Sequence, residues 1–318
     1  MRLLLSAALG VAILACTQVH AEETFPNKPI KVVVPNPAGG ATDIVSRVVA
    51  KTFGEKINQS AVIVNIAGGG TAIGAQEVAR SPADGYTILS THSALLTSSA
   101  LGINKLGMDS LVPVAQVGRE SFLVAVPQDS PIKTLSDFYE AARPGSAKRL
   151  KLGANLTAAN HFAFLEILQP VQSDVTFVPV AGGAPALKAL LGGHVDAASF
   201  AVSESLDQIR AGSIRAIALF APSRHPAIPD VPTAHDAGYN LDVGLHYVWY
   251  APVSTPPERV KVLADAMEQV LGDSAAQRML VEHAVQPEFM RGTELVKATK
   301  ERYQRIKSIA EKIKAEKK

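Results

Sequence analysis

The chain has 318 residues and a formal net charge of +2, with 31 Lys and Arg against 29 Asp and Glu. That balance lacks the basic excess of a nucleic-acid-binding or polybasic membrane-binding surface, and a single cysteine excludes a disulfide framework and a thiolate-only metal site. The length fits two or three domains, and 47% hydrophobic against 19% charged residues is the composition of a chain that folds around a core.

The first 21 residues read as an export leader. Arg2 is their only charge, Leu3–Cys16 is an apolar run broken by Ser6 and Gly10, and Val19-His20-Ala21 fits the small-x-small rule for cleavage after Ala21. The run is shorter than the ~20 apolar residues of a spanning helix. Ile13-Leu14-Ala15-Cys16 offers an alternative, a lipobox in which Cys16 is lipidated, although Leu14 is bulky for that motif. Both readings place the mature protein outside the cytoplasmic membrane, with the periplasm as the expected location.

Strand and helix patterns then alternate. Ile30–Val34 is a β-branched run, Pro35–Gly40 a turn cluster, and Ala41–Phe53 places Ile44, Val45, Val48, Val49 and Phe53 on one helical face. Ala61–Val64 is a second strand, followed by Gly68-Gly69-Gly70 and a helix near Ile73–Ala79; Tyr86–Ser90 is a third strand. Further on, Val175–Val178, Val195–Phe200 and Ile214–Phe220 read as strands, with helical runs near Ala184–Leu191 and Ser203–Arg210 between them. Ser121–Pro127 and Leu245–Pro252 read as extended crossings between two lobes. Helical stretches follow at about Glu258–Leu271, Ala275–His283 and Thr293–Lys314. Such alternation predicts an α/β fold with mostly parallel sheets covered on both faces. The expected division is residues 22–121 plus 247–318 in lobe I and 122–246 in lobe II.

Enzyme motifs find little support. Gly68-Gly69-Gly70-Thr71-Ala72-Ile73-Gly74 has dinucleotide-loop spacing, but the next strand ends Leu89-Ser90-Thr91-His92 without the acid that holds a ribose. Close packing and a tight turn explain these glycines better. Ser130-Pro131-Ile132-Lys133 matches a bare S-x-x-K without its companion motifs and reads as a turn. The histidines lack metal spacing; His92 and His161 stand out only because each sits where a strand end meets a helix. No catalytic residue, cofactor or metal is expected.

Anion capture by backbone fits better. Pro37-Ala38-Gly39-Gly40-Ala41-Thr42-Asp43 joins a strand to a helix N-terminus, where unpaired N–H groups and a positive dipole end meet. A carboxylate fits there without Arg or Lys. Thr42 or Asp43 could instead simply cap the helix, with Asp43–Arg47 a surface i,i+4 pair. Gly153–His161 opens a second-lobe helix and could face the first loop.

Phe25-Pro26-Asn27-Lys28-Pro29-Ile30 with Val34–Asp43 resembles the opening of the tripartite tricarboxylate transporter receptors, the Bug-type solute-binding proteins. The likeness continues through Asn65–Gly74, Ser81–Leu89, Gly182–Leu187, Leu191–Asp196, Pro229–Thr233 and Ala251–Pro256. The resemblance implies a two-lobed type II periplasmic binding protein, monomeric, that captures a small organic carboxylate in the interlobe cleft. The acid could be a di- or tricarboxylate, an acidic amino acid or an aromatic acid. The implied partner is a membrane transporter of one large and one small subunit. Candidate ligand contacts are Asn36, Ala38, Gly39, Gly40, Thr42, Asp43, His92, Asn155, Thr157, Ala181, Gly182 and Ser199. Asn36 replaces an aromatic residue of the family pattern and Val180-Ala181 a Tyr-Lys, so the substrate stays open. The alternative is an exported α/β enzyme or sensor acting on a small organic acid. The segment Thr293–Lys318, with nine Lys and Arg against four Glu, is either a transporter-docking helix or an amphipathic helix packed on lobe I.

Overall fold

The structure, a computed structural model, describes residues 24–156, 158–180 and 183–316. The leader with Ala21 and Cys16 lies outside the described residues, as do Thr157, Ala181 and Gly182.

Each apolar run of the first hundred residues forms the element its period predicts: β1 (Ile30–Val34), α1 (Ala41–Ile57), β2 (Ala61–Asn65), α2 (Ala72–Ala79), β3 (Thr87–Thr91) and, unforeseen, α3 (Ala94–Ala100). The middle of the chain gives β4 (Leu111–Pro127), α4 (Leu135–Ala142), β5 (Leu150–Ala154), α5 (Ala159–Ile167), β6 (Val175–Pro179), α6 (Gly183–Leu191), β7 (Ala197–Ala201), α7 (Val202–Arg210) and β8 (Ile214–Leu219). It closes with β9 (Gly244–Pro252), α8 (Pro257–Leu271), α9 (Ser274–Glu282), β10 (Met290–Arg291) and α10 (Gly292–Glu316). Ser130–Lys133 is the approach to α4, whose start is a capping box: Thr134 accepts from the Asp137 N–H and Asp137 accepts from the Thr134 N–H. At Gly74 a Cβ would lie 2.8 Å from the Ile66 carbonyl oxygen and 2.9 Å from the Pro35 Cβ. That glycine lets α2 lie against the strand ends, the packing role expected of it.

The sheet runs β2-β1-β3-β9-β4-β7-β5-β6, with β10 and β8 also on β4. Pairing is parallel within β2-β1-β3 and within β6-β5-β7. Every antiparallel pair involves β4 or β9. Strand β4 is the shared spine. Leu111–Ser121 pairs with β9, and Phe122–Pro127 pairs with β7 and β8. Because β9 begins at Gly244, residues Gly244, Leu245 and His246 pair with Ser121, Glu120 and Arg119 on the first side of the sheet.

Two main cores follow from this layout. One joins Val32, Val49, Phe53, Trp249, Leu263 and Met267 around the first parallel triple. The other joins Val124, Phe138, Leu152, Phe164 and Phe220 around the second. Helix α10 does not pack on the first lobe alone. Its Ile306, Ile309 and Ala310 share a cluster with Leu96 and Ala100 of α3 and with Phe162 of α5, so it straddles both lobes. Arg302, which the docking reading counts among the free basic residues, turns inward, and its Nη1 donates to Gln116 Oε1 at 2.8 Å.

Candidate functional site

Strand direction locates the site. β9 is antiparallel to both β3 and β4, so β3 and β4 run the same way, toward the second lobe. β7 is antiparallel to β4 and runs back toward the first lobe. The C-terminal ends of the two parallel triples therefore face each other. Thr91 ends β3 at the level of Gln116, through Val248, and Ala201 ends β7 opposite Phe122. At ~3.3 Å per residue the gap is roughly 20 Å along β4, partly filled by the loops that leave the strand ends. Ligands of α/β sheets bind at such ends, where helix N-termini converge.

On the first lobe the mouth is built by the β1–α1 loop. Gly39 takes φ +80°, a left-handed conformation that suits glycine. Gly40, not Thr42 or Asp43, is the N-cap of α1, and it has no side chain to cap with. Its N–H bonds Pro37 O at 3.3 Å, and the first intrahelical bond recorded is Ile44 N–H to Gly40 O. The N–H groups of Ala41, Thr42 and Asp43 have no protein partner among the described residues. Ala38 and Gly39 are exposed and Gly40 is half-buried, while Thr42 is buried beneath them.

Asp43 organises this loop from below. It is only 2% exposed, so the pair with Arg47 is half internal rather than a surface pair. Its Oδ2 accepts from the Gly39 N–H at 2.8 Å and Arg47 Nε at 2.9 Å; its Oδ1 accepts from Asn65 Nδ2 at 2.8 Å. Burial alone would raise its carboxyl. Hydrogen bonds from Arg47, Gly39 and Asn65 and the Arg47 charge outweigh it and hold the carboxyl down at about 2. Asn65 Nδ2 also donates to Asn36 O at 3.1 Å, whereas Asn36 Oδ1 is buried without a partner. Ser46 Oγ of α1 pairs with Ser90 Oγ of β3 at 2.7 Å, which ties the helix start to the neighbouring strand end.

His92, just past β3, accepts from the Ala94 N–H at its Nδ1, 3.2 Å away, and burial pushes its imidazole down to about 4. It is therefore neutral near pH 7. It stands edge-on to Tyr247, with ring centroids 5.9 Å apart. Thr91 beside it is fully buried with an unpartnered hydroxyl.

On the second lobe, Asn155 follows β5 and its N–H donates to Asn160 Oδ1 at 3.2 Å, folding the loop onto the start of α5. Ser199 lies inside β7, 0% exposed and with no partner for its hydroxyl. His161 packs edge-on to Phe177, with centroids 4.7 Å apart, which is a core position. Among the described residues, no hydrogen bond joins the Asn36–Asp43 loop to Asn155 or Ser199; the structure places them on opposite banks.

The residues the sequence reading missed lie between the banks. Glu120, on the β4 segment that spans the gap, is 2% exposed. Its Oε1 accepts from the Ser203 N–H at 3.2 Å and from Ser203 Oγ, and its Oε2 accepts from Tyr247 OH at 3.3 Å. Glu204 Oε2 accepts from the Ala201 N–H at 3.0 Å. An acid inside the Arg119-Glu120-Ser121 interruption of an apolar strand was the available signal. Behind the gap, Arg119 pairs with Asp242, and Glu166, Asp242, His246, Arg302 and Arg305 line a water-sized cavity of about 20 Å³. Among the described residues no group of three or more His, Cys, Asp or Glu is arranged to hold a metal ion.

Comparison with known proteins places this arrangement in a family. The family model described as "Tripartite tricarboxylate transporter family receptor" matches residues 45–315. The protein BugT of Bordetella pertussis is 31% identical over 287 residues, covering 86% of each chain. A TctC solute binding protein from Polaromonas, solved with no ligand, superposes with a TM-score of 0.83 at 25% identity, covering 91% of this chain and 100% of that one. An R. palustris protein solved with adipate superposes with a TM-score of 0.72 at 27% identity, covering 90% of this chain and 97% of that one. With its two α/β lobes and facing strand ends, this chain belongs to the tripartite tricarboxylate transporter receptor family of periplasmic solute-binding proteins.

Proposed function

We propose that this receptor captures a small organic carboxylate between its lobes and delivers it to a tripartite tricarboxylate-type secondary transporter of one large and one small membrane subunit. In this reading the lobes meet where β4 crosses at Ser121–Phe122 and where the chain returns at Val243–Gly244. The carboxylate sits over Gly39–Asp43, with His92 at its side and Asn155 on the facing lobe. The mature protein works in the periplasm.

One observation carries this reading. The start of the 17-residue α1 presents three unpartnered N–H groups toward the facing lobe, and residues Asn36–Asp43 contain no Lys or Arg. Helix N-termini of this kind hold anions through backbone donors and the helix dipole. The adipate held by the R. palustris relative supports the ligand class.

A thermal-shift screen of di- and tricarboxylates, acidic and ω-amino acids and aromatic acids tests it. A true ligand at a hundredfold excess over its dissociation constant adds about 2.7 kcal/mol of stability, a rise in Tm of several degrees. No shift with any carboxylate contradicts the reading. Conversion of a bound acid to product would favour the exported enzyme in its place.

A further inference from the structure

The floor of the cleft and its second-lobe mouth carry one carboxylate each, Glu120 and Glu204, and among the described residues no cation pairs with either. Glu204 is exposed, and its carboxylate lies over Gly183, the first residue of α6, so closely that a Cβ there would collide with it. Glu120, on the floor of the gap, is bonded to Ser203 in the first turn of α7. The positive ends of both nine-residue helices, α6 and α7, are therefore already faced by carboxylates of the chain. Among the described residues neither Glu120 nor Glu204 forms an ion pair. Burial raises the carboxyl of Glu120 and the nearby Glu204 charge raises it further, against the hydrogen bonds from Ser203 and Tyr247. Across the gap Asp43 is, by contrast, fully served by Arg47, Gly39 and Asn65.

A dicarboxylate lying across this cleft would put its second charge beside Glu204 and Glu120, whose own charged forms burial already disfavours, in a site whose closure excludes water and strengthens the repulsion. A positive group in the same place would complete the ion pairs that Glu204 and Glu120 lack.

We infer that the cleft selects a zwitterion, with its carboxylate at the start of α1 and an ammonium-type group facing Glu204 and Glu120, over a dicarboxylate of equal length. The inference rests on the carboxylate-receptor reading above. It makes Glu204 the specificity-determining residue at the exposed end and Glu120 the carboxyl on the floor beside it.

Two matched sets of acids test it by calorimetry: γ-aminobutyrate, butyrate and succinate, and ε-aminohexanoate, hexanoate and adipate. Within each set the carbon count is the same and only the far carbon changes, from aminomethyl to methyl to carboxylate. In the better-fitting set the amino acid should bind at least tenfold tighter than the dicarboxylate, with the plain monocarboxylate between them. Glu204→Gln should shrink that ratio severalfold by weakening the amino acid and strengthening the dicarboxylate. Because Glu204 is exposed, this variant should fold, and an unchanged Tm without ligand checks that it does. Glu120→Gln should act in the same direction. Equal or tighter binding of succinate or adipate by the wild type overturns the inference and leaves the receptor reading standing. So does a ratio that Glu204→Gln does not move. No binding in either set while another carboxylate binds also overturns it, whereas no binding by any carboxylate fails the receptor reading itself.

Discussion

The two mouths of the cleft are built alike and charged differently. Each offers helix N-termini at the C-terminal ends of a parallel triple, and each holds an acid close to them. On the first lobe, Asp43 lies inside the helix start, 3% exposed at its side chain, and answers to Arg47. It spends its oxygens on Gly39 and Asn65 and leaves the helix N–H groups pointing outward. At the second mouth, Glu204 of α7 and Glu120 of the crossing strand face the helix starts themselves, and among the described residues neither forms an ion pair. The lesson is that an acid near a helix N-terminus has no fixed meaning. Below the turn and ion-paired, it stiffens an anion site; over the turn and unpaired, it takes the place of the anion.

The largest effect that would break this comparison is on the first mouth. A Cβ at Gly40 would come within 3.3 Å of the Pro37 carbonyl oxygen, so Gly40→Val must move the loop whose N–H groups hold the carboxylate. Hydrogen bonds to a charged group are worth roughly 1.5–3 kcal/mol each, and misaligning even one should weaken carboxylate binding by more than tenfold in calorimetry. Wild-type affinity in this variant would remove the backbone from the account.

Asp43→Asn should come next, and mainly in stability. All three of its hydrogen bonds go to the protein, so affinity should fall only severalfold, while Tm should drop because a buried carboxylate loses its charge-assisted bonds to Arg47, Gly39 and Asn65. The acid range separates its role from packing. A carboxyl held at about 2 against an ordinary 3.8 gives stability that is fully present above about pH 4 and disappears as the pH falls toward 2. The variant should lack that portion of the acid transition, read by following Tm between pH 4 and pH 2. A tenfold or greater loss of affinity would instead place Asp43 in contact with the ligand.

A smaller effect belongs to the cavity behind the cleft. Burial lifts Glu166 to about 7, against the pull of Arg305. A raised carboxyl contributes stability that is present below its unfolded pKa, near 4.5, and is lost as the pH rises through 7. Glu166→Gln should flatten the decline in Tm between pH 5 and pH 7; an unchanged slope would show that Glu166 does not cause it. The smallest effect is expected at Lys300 and Lys307, both exposed on α10. Reversing the two charges should leave ligand affinity within about twofold, since neither side chain reaches the cleft. A larger change would mean that α10 couples to closure.

Much of the fold was legible because most elements carry their own apolar period. Ile30–Val34 is a strand end to end, and the helices from Ala41, Pro257 and Gly292 lie where their stripes put them. The first half of β4 was not legible. Gln116, Arg119 and Glu120 interrupt its apolar run and read as surface, yet all three are buried. Their partners Glu288, Arg302, Asp242, Ser203 and Tyr247 come from 83 to 186 residues away, beyond any local pattern. Helix α3 was hidden for a related reason, because Thr97, Ser98 and Ser99 are polar in type but buried in place. The first mouth could be read from a strand, a glycine pair and a helix in sequence. The acids of the second could not, because Glu120 meets Ser203 only once β4 and β7 run antiparallel.

The most direct test is a crystal structure of the closed complex with the tightest-binding acid from the screen. Its carboxylate oxygens should lie about 2.7–3.2 Å from the N–H groups of Ala41, Thr42 and Asp43, directly or through one water, with no Arg or Lys side chain in contact. A carboxylate gripped by an arginine fork, or seated on the second lobe beside Glu204, would contradict the account.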